Sequence, residues 1–422
     1  MISVGIIGGG AAGMFAAVNL KALRPEAEVT VLEGGSRLLA KVAVTGGGRC
    51  NLTNTFSGVR SLAEVYPRGA RLMGRLFHDF SPRDTWDWFT AHGVPLAVRR
   101  DFDPSCSESE RECVFPASQD AMTIVNCLVH EARKRGVRLL ASQPVSAIGL
   151  LPSEGDSSAP SAPRFRVTVP DGELSFHRLV VAPGGLTPHI QSLLPSVIQI
   201  VPPVPSLFTL NLPDSPLREL MGTVVDPVTV GLAGTKLRAS GALLVTHWGV
   251  SGPAVLRLSS YGARLLADCN WQATLSVNWL HDLTSEEAAA RLSRQASLTP
   301  QRQLSSQPCF SLPRRLWEYL LLAAGIPAER RWAEAGTKQL HRLSSVLTSD
   351  THAVRGQSRF KEEFVTCGGI DLSSLTPRLE CRSLPGLYFA GEILDVDGIT
   401  GGYNLQAAWT TAMTVARSIA QS

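Results

Sequence analysis

Gly8, Gly10 and Gly13 stand in a G-x-G-x-x-G spacing, and Glu33 follows twenty residues after the last of them. Residues of these types at these intervals can hold a dinucleotide. The first glycine permits a tight turn, the second lets backbone N–H groups approach a pyrophosphate, and the third lets a helix pack closely on a strand. Ala11 and Ala12 fall at the helix start, where unpaired N–H groups attract an anion. The Glu33 carboxylate can accept hydrogen bonds from both hydroxyls of an adenosine ribose and would repel a 2′-phosphate, which disfavours NADP in this pocket. A glycine triplet alone is weak evidence, so the elements around it decide. Residues 3–7 are a short apolar strand, Ala11 to Leu23 has helical composition and is stopped by Pro25, and Val29 to Leu32 is a second buried strand ending at the acid. This context predicts a cofactor site.

Two further runs bear on the same chemistry. In Thr45-Gly46-Gly47-Gly48-Arg49-Cys50-Asn51-Leu52-Thr53-Asn54, with Lys41 just upstream, three glycines can lay backbone N–H groups against a flat ligand. An isoalloxazine ring needs such edge-on bonding, above all at N5. In Gly391-Glu392 through Gly401-Gly402-Tyr403-Asn404, a strand ends in Gly-Glu and a Gly-Gly turn opens a helix whose positive end suits the flavin N1 and C2 carbonyl. Val145, at the head of a strand-like run 145–151, and Gly184, after the buried strand 178–182, complete the expected cofactor set.

Together these runs resemble the BaiN-like, or YhiN-like, family of FAD-dependent flavoproteins. The resemblance runs along nearly the whole chain, through residues 8–13, 45–54, 114–118, 205–207, 246–253, 365–369 and 386–406. It implies an α/β fold: a Rossmann-like FAD-binding domain of the two-dinucleotide-binding-domain type, interrupted by an inserted β-barrel plus helical domain. Where the family has Glu-Ser-Lys before the last strand, this chain has Glu380-Cys381-Arg382.

Length and pattern suit that organisation. The 422 residues accommodate two or three domains. Residues 1–190 read as the first FAD segment, 191–354 as the insert (β-rich over 200–282, helical over 283–345), and 355–422 as the second FAD segment. Prolines cluster over 195–205; short strands are expected at 207–212, 224–231 and 241–245, and helices over 119–135 and 316–324. Residues 152–163 read as a turn-rich hairpin tip. Residues 405–420 read as an amphipathic closing helix. The expected strand ending at Gly391 should lie beside the strand ending at Gly8, with the insert covering the flavin.

Composition removes several function classes. No stretch is apolar for long enough to span a bilayer, and the N-terminal apolar run lacks a basic flank. The eight cysteines form no C-x-x-C pair and no metal-ligand spacing, which argues against a dithiol reductase and against a metal site and fits reduced thiols in a cytoplasmic protein. Net charge is +4; residues 284–345 hold nine Lys or Arg against five acids, so the segment alone equals that surplus. Without interleaved aromatics this reads as a solvated helical face rather than a nucleic-acid surface.

The expectation is an enzyme passing a hydride between FAD and a small organic substrate. NAD(P)H is the expected electron donor, binding transiently because no second glycine fingerprint follows a later strand. An oxygen-using amine or alcohol oxidase, a tRNA-acting flavoprotein and an inert FAD carrier are the alternatives, and oligomeric state is left open. For proton transfer the candidates are His247, in Thr-His-Trp-Gly-Val-Ser-Gly-Pro before a helix expected to be capped by Ser251, and Tyr403. A histidine packed at a domain interface and a tyrosine in a cofactor wall are equally consistent readings. Cys50 reads as a small packed residue.

Overall fold

The computed structural model describes residues 1–103, 110–151, 164–356 and 365–422. The expected hairpin tip at 152–163 lies outside them. Two compact units emerge: one from 1–103, 110–204 and 365–422, the other from 205–356. The second begins at Pro205, so residues 191–204, expected in the insert, pack with the first.

Alternating strands and helices build the first unit. Among the described residues its parallel sheet runs in the order Leu387–Phe389, Arg178–Val181, Ser3–Ile7, Glu28–Leu32, Arg138–Leu140. The 178–181 strand therefore lies between the strand leading to Gly391 and the strand leading to Gly8, which were expected to be neighbours. Its first four strands are short, mostly apolar and buried along most of their length, while the edge strand Arg138–Leu140 is only partly buried. Helix Ala11–Leu23 covers one face, with every residue from Ala12 to Leu20 buried. The antiparallel strands Ala147–Leu150, Phe165–Val169 and Gly172–Phe176 form a meander. A Cβ on Gly5 would sit 2.6 Å from the Phe176 ring, so that strand needs a residue without a side chain where the meander packs.

The closing helix, Tyr403–Ala420, is buried on nearly every side rather than amphipathic. Phe15, Phe80, Phe89 and Trp409 pack around it and helix Ala11–Leu23, and Trp409 Nε1 donates to the Leu52 carbonyl at 3.0 Å. The proline cluster also departs from expectation. Ile200–Ser206 is a strand paired only with Val365–Ile370 among the described residues, a two-stranded arrangement in which prolines leave no ladder bond missing on a second side.

The second unit holds an antiparallel sheet in the order Leu210–Asn211, Gly249–Ser251, Arg238–Val245, Val224–Leu232, Gln272–Asn278, Asp350–Arg355. Its first and last strands approach each other, which nearly closes a barrel. The strand expected over 207–212 shrinks to two residues. Burial alternates strictly along Asp350–Arg355, as one packed face and one outward face require. Helices Ser285–Leu298, Arg314–Ala323 and Thr337–Thr348 are inserted between its strands Gln272–Asn278 and Asp350–Arg355. A capping box of Thr284 and Glu287 starts the first of them, with Glu286 and Glu287 in its first turn. Trp279, Trp317 and Trp332 are fully buried in this core, each with its indole N–H bonded: to Asp350 at 3.0 Å, the Leu304 carbonyl at 2.8 Å and the Gln307 carbonyl at 3.2 Å. Among the described residues no helix is long and apolar enough to cross a membrane.

Candidate functional site

The first turn separates glycines required by the fold from one that is not. A Cβ on Gly8 would lie 2.3 Å from the Ala182 carbonyl oxygen, and one on Gly13 only 1.9 Å from that of Gly8. Both positions answer to the chain's own packing. Gly10 does not: its φ is −82°, open to any residue, and a Cβ there meets nothing within 4 Å. The open space in front of Ala11 and Ala12, where the first-turn N–H groups lack helical partners, is a cradle that a side chain would fill. Glu33 closes the other end. Its two carboxylate oxygens accept the N–H groups of Gly9 at 2.8 Å and Gly35 at 2.7 Å. An ionised carboxylate has further lone pairs for a ribose. Val145 is buried just before, not inside, its strand. Its neighbour Gln143 donates its backbone N–H to the Glu33 carbonyl at 2.8 Å, which puts the 143–145 segment behind that turn.

The triple glycine interrupts a helix instead of lying in a free loop. Ala40–Gly48 departs from helical angles at Thr45, and φ is 58°, 68° and 83° at Gly46, Gly47 and Gly48. Only glycine adopts three such positions in succession cheaply. Gly47 and Gly48 leave open space where a Cβ would be, so their backbone is approachable. Arg49 is held by its Nε donating to the Gly46 carbonyl at 3.0 Å and by its guanidinium 5.1 Å from the centre of the Phe115 ring. Cys50 is fully buried, and burial pushes its thiol up to about 12. It is a packed thiol, not a thiolate.

Side-chain amides tie this run to the third motif. Asn54 Nδ2 donates to the Gly401 carbonyl at 3.0 Å. Asn51, with its amide turned so that both ends are satisfied, donates to the Thr53 carbonyl at 3.1 Å and accepts the Gly402 N–H at 3.2 Å. Gly402 itself (φ 89°) precedes the closing helix. A Cβ there would strike the Thr53 carbonyl at 2.3 Å, and one on Gly391 would strike Ala12 at 2.8 Å, so all three motifs converge. Asn404 spends both amide ends on Gly398, at 2.8 Å each. Lys41 pairs with Glu392 at 3.1 Å, and the second Glu392 oxygen accepts the Thr366 N–H at 3.1 Å; Gly184 (φ 94°) lies beside that carboxylate. Tyr403 is nearly buried, edge-on to Phe56 with ring centres 5.0 Å apart, which places it in an aromatic wall.

The sequence reading missed the segment that holds this third motif. Tyr66 Oη donates to the Tyr403 carbonyl at 2.8 Å, and Arg68 forms a two-pronged ion pair with the fully buried Asp397. Gly69 adds a close approach, since a Cβ there would overlap Val396. Nothing in the spacing of Tyr66-Pro67-Arg68-Gly69 announces a partner more than three hundred residues away.

His247 belongs to the second unit and is exposed. Its ring lies edge-on to Trp248 with centres 4.1 Å apart, and it lines an open pocket of about 650 Å³ with Ser215, Arg218 and Met221. Ser251 does not cap the next helix. It lies in a strand, and Gly252 (φ 96°) precedes Pro253–Tyr261 with no side-chain cap.

The arrangement of three glycine-rich turns around a helix N-terminus, with a carboxylate that has lone pairs to spare, fits FAD. Residues 2–418 match the model of the HI0933-like protein Rossmann domain. The chain is 31% identical over 435 residues to the ribosomal RNA dihydrouridine synthase of Escherichia coli strain K12, covering 98% of this chain and 97% of that one. It is 30% identical to the protein of the same name from Haemophilus influenzae, covering 99% and 98%. A 3-dehydro-bile acid delta(4,6)-reductase from Clostridium scindens is 26% identical, with both chains covered completely. The chain belongs to the HI0933-like Rossmann-domain family and is an FAD-dependent oxidoreductase.

Proposed function

We propose that this enzyme is a reductase that takes electrons from NAD(P)H and saturates a carbon–carbon double bond conjugated to a carbonyl, and that the bond belongs to a uridine of ribosomal RNA. The observation that carries the substrate is the full-length similarity to two proteins named for making dihydrouridine in ribosomal RNA. The names of all three relatives share one chemistry, hydride delivery to an electron-poor alkene, which favours a reductase over an oxidase.

In this reading the open cradle at Gly10 and the helix start at Ala11 take the pyrophosphate, Glu33 takes the ribose, and Gly46, Gly47, Arg49, Asn51 and Gly402 frame the ring. When bound, FAD supplies the hydride acceptor and donor at its N5. The chain's own residues fix the ring edge, keep water from it and supply one proton. Overall, NAD(P)H and one proton are consumed; a hydride ends on the alkene carbon β to the carbonyl and a proton on the α carbon. His247 is the proposed proton donor, because its imidazole is exposed and lines an open pocket, where it can reach a bound substrate. Tyr403 is the second candidate, though its burial among Phe56 and Tyr66 suits a wall better. A small conjugated enone is the second substrate reading, favoured by the bile acid relative.

The test is anaerobic mixing with NADH and with NADPH, followed by addition of either unmodified ribosomal RNA or a 3-oxo-4,6-diene steroid to the reduced enzyme. Bleaching by a nicotinamide and RNA-dependent recovery of flavin absorbance, with dihydrouridine in the digested RNA, is the expected result. Recovery with the steroid alone would replace the substrate. Absence of bleaching by both nicotinamides would remove the electron donor.

A further inference from the structure

The pocket beside His247 is built around a fixed arginine. Arg218 donates its Nε to the His247 carbonyl at 2.7 Å and Nη1 to the Pro213 carbonyl at 2.6 Å. Two backbone acceptors hold this exposed guanidinium at one spot before any ligand arrives, which removes much of the ordering cost that a free side chain carries into binding. Two more arginines reach the same short segment from separate elements. Arg315, from helix Arg314–Ala323, donates to the Glu219 carbonyl at 2.6 Å, and Arg355, from the last strand of the sheet, pairs with Asp214 at 3.2 Å. Ser215, whose hydroxyl lies 2.8 Å from His352 Nδ1, and His247 also line the pocket.

The acids here do not cancel this charge. Asp214 is matched by Arg355 and Glu219 is exposed, so the segment and the side chains bonded to it carry three arginines and two carboxylates, with Arg218 the arginine that lines the pocket itself. A preorganised guanidinium with a hydroxyl and an imidazole nearby is chemistry for a phosphate group. The pocket is open and its polar lining is exposed, which suits a segment of a polymer better than an enclosed small ligand. Arg315 also belongs to segment 284–345, whose charge equals the surplus of the whole chain.

We infer that this pocket is a phosphate subsite for an RNA strand, with Arg218 as its fixed anchor and Arg315 as a second contact. The inference rests on the ribosomal RNA reading above and adds to it where on the chain the backbone is gripped. Phosphate contacts release counterions, so each one lost should lower the slope of log affinity against log salt by about 0.7 to 0.9.

The experiment measures binding of a ribosomal RNA transcript to the full-length FAD enzyme across a potassium chloride series, for wild type, Arg218→Ala and Arg315→Ala. Flavin absorbance per chain reports that each variant is folded, and Arg315→Ala keeps the test alive should Arg218→Ala disturb its loop. The expected result is weaker binding by about tenfold at low salt and a shallower slope for each variant, with Arg218→Lys intermediate. Unchanged affinity and slope in folded variants, while wild type binds and reduces the RNA, would overturn the subsite and leave the substrate reading standing. Failure of wild type to bind the RNA at all would overturn both. A raised KM for NADPH with an unchanged RNA slope would give the pocket to a dinucleotide phosphate and also overturn the inference.

Discussion

Gly10→Ala separates a glycine kept for a ligand from glycines kept for the fold. At Gly10 the backbone is extended (φ −82°, ψ −166°) and the added methyl meets no atom within 4 Å, so the empty protein accommodates it. The remaining cost is that of alanine at a helix N-cap, up to about 1 kcal/mol. With FAD the methyl occupies the space through which the pyrophosphate reaches the helix start. Displacing that group would weaken two charge-assisted hydrogen bonds at about 1.5 to 3 kcal/mol each. Their loss corresponds to roughly a hundred- to ten-thousand-fold in affinity. The assay is calorimetric titration of apoprotein with FAD beside thermal unfolding of the same apoprotein. The expected outcome is a nearly unchanged melting temperature with a large loss of affinity. Gly13→Ala is the opposite control: its methyl would sit 1.9 Å from the Gly8 carbonyl and should prevent folding whether or not FAD is present. Wild-type FAD affinity in Gly10→Ala would refute the placement of the pyrophosphate.

Other residues give independent checks. Glu33→Arg removes the acceptors of Gly9 and Gly35 and sets a cation in the ribose site, so FAD should be lost on dialysis while added stabiliser preserves the fold; full occupancy would place the ribose elsewhere. His247→Ala should slow substrate turnover with FAD content and absorbance close to wild type, and normal turnover would end its assignment as proton donor. Arg68→Ala takes the guanidinium away from the fully buried Asp397 carboxylate, which should cost about 3 to 5 kcal/mol in denaturant unfolding. A negligible change would mean that the pair contributes little to the third motif. Burial raises the Cys50 thiol to about 12 from the ordinary 9.0, so its stabilising contribution is complete below about pH 9 and is lost as pH rises toward 12. Native protein should therefore leave Cys50 unlabelled by a disulfide reagent at pH 8, read by peptide mass analysis, and rapid labelling there would contradict the burial.

Local chemistry was legible from the chain alone wherever a residue's role depends on its immediate neighbours. The strand, glycine turn, helix and acid from Ser3 to Glu33 could be read because each glycine answers to a backbone conformation a few residues long. The same holds for the helical character of residues 283–345 and for the helix that starts beyond Gly402. Tertiary structure decided what depends on partners distant in sequence. Strand order is one such matter: residues 178–181 enter between the strands leading to Gly8 and Gly391 because a parallel sheet is ordered by crossovers, which no local pattern encodes. The proline run 200–206 becomes a strand only because residues 365–370 lie beside it. Ser251 has the composition of a helix cap, yet pairing with Leu244 draws it into the sheet and leaves the helix start to Gly252. The Arg68–Asp397 pair and the arginines converging on residues 213–219 are likewise products of the fold, because a charge finds its partner through space and leaves no spacing along the chain.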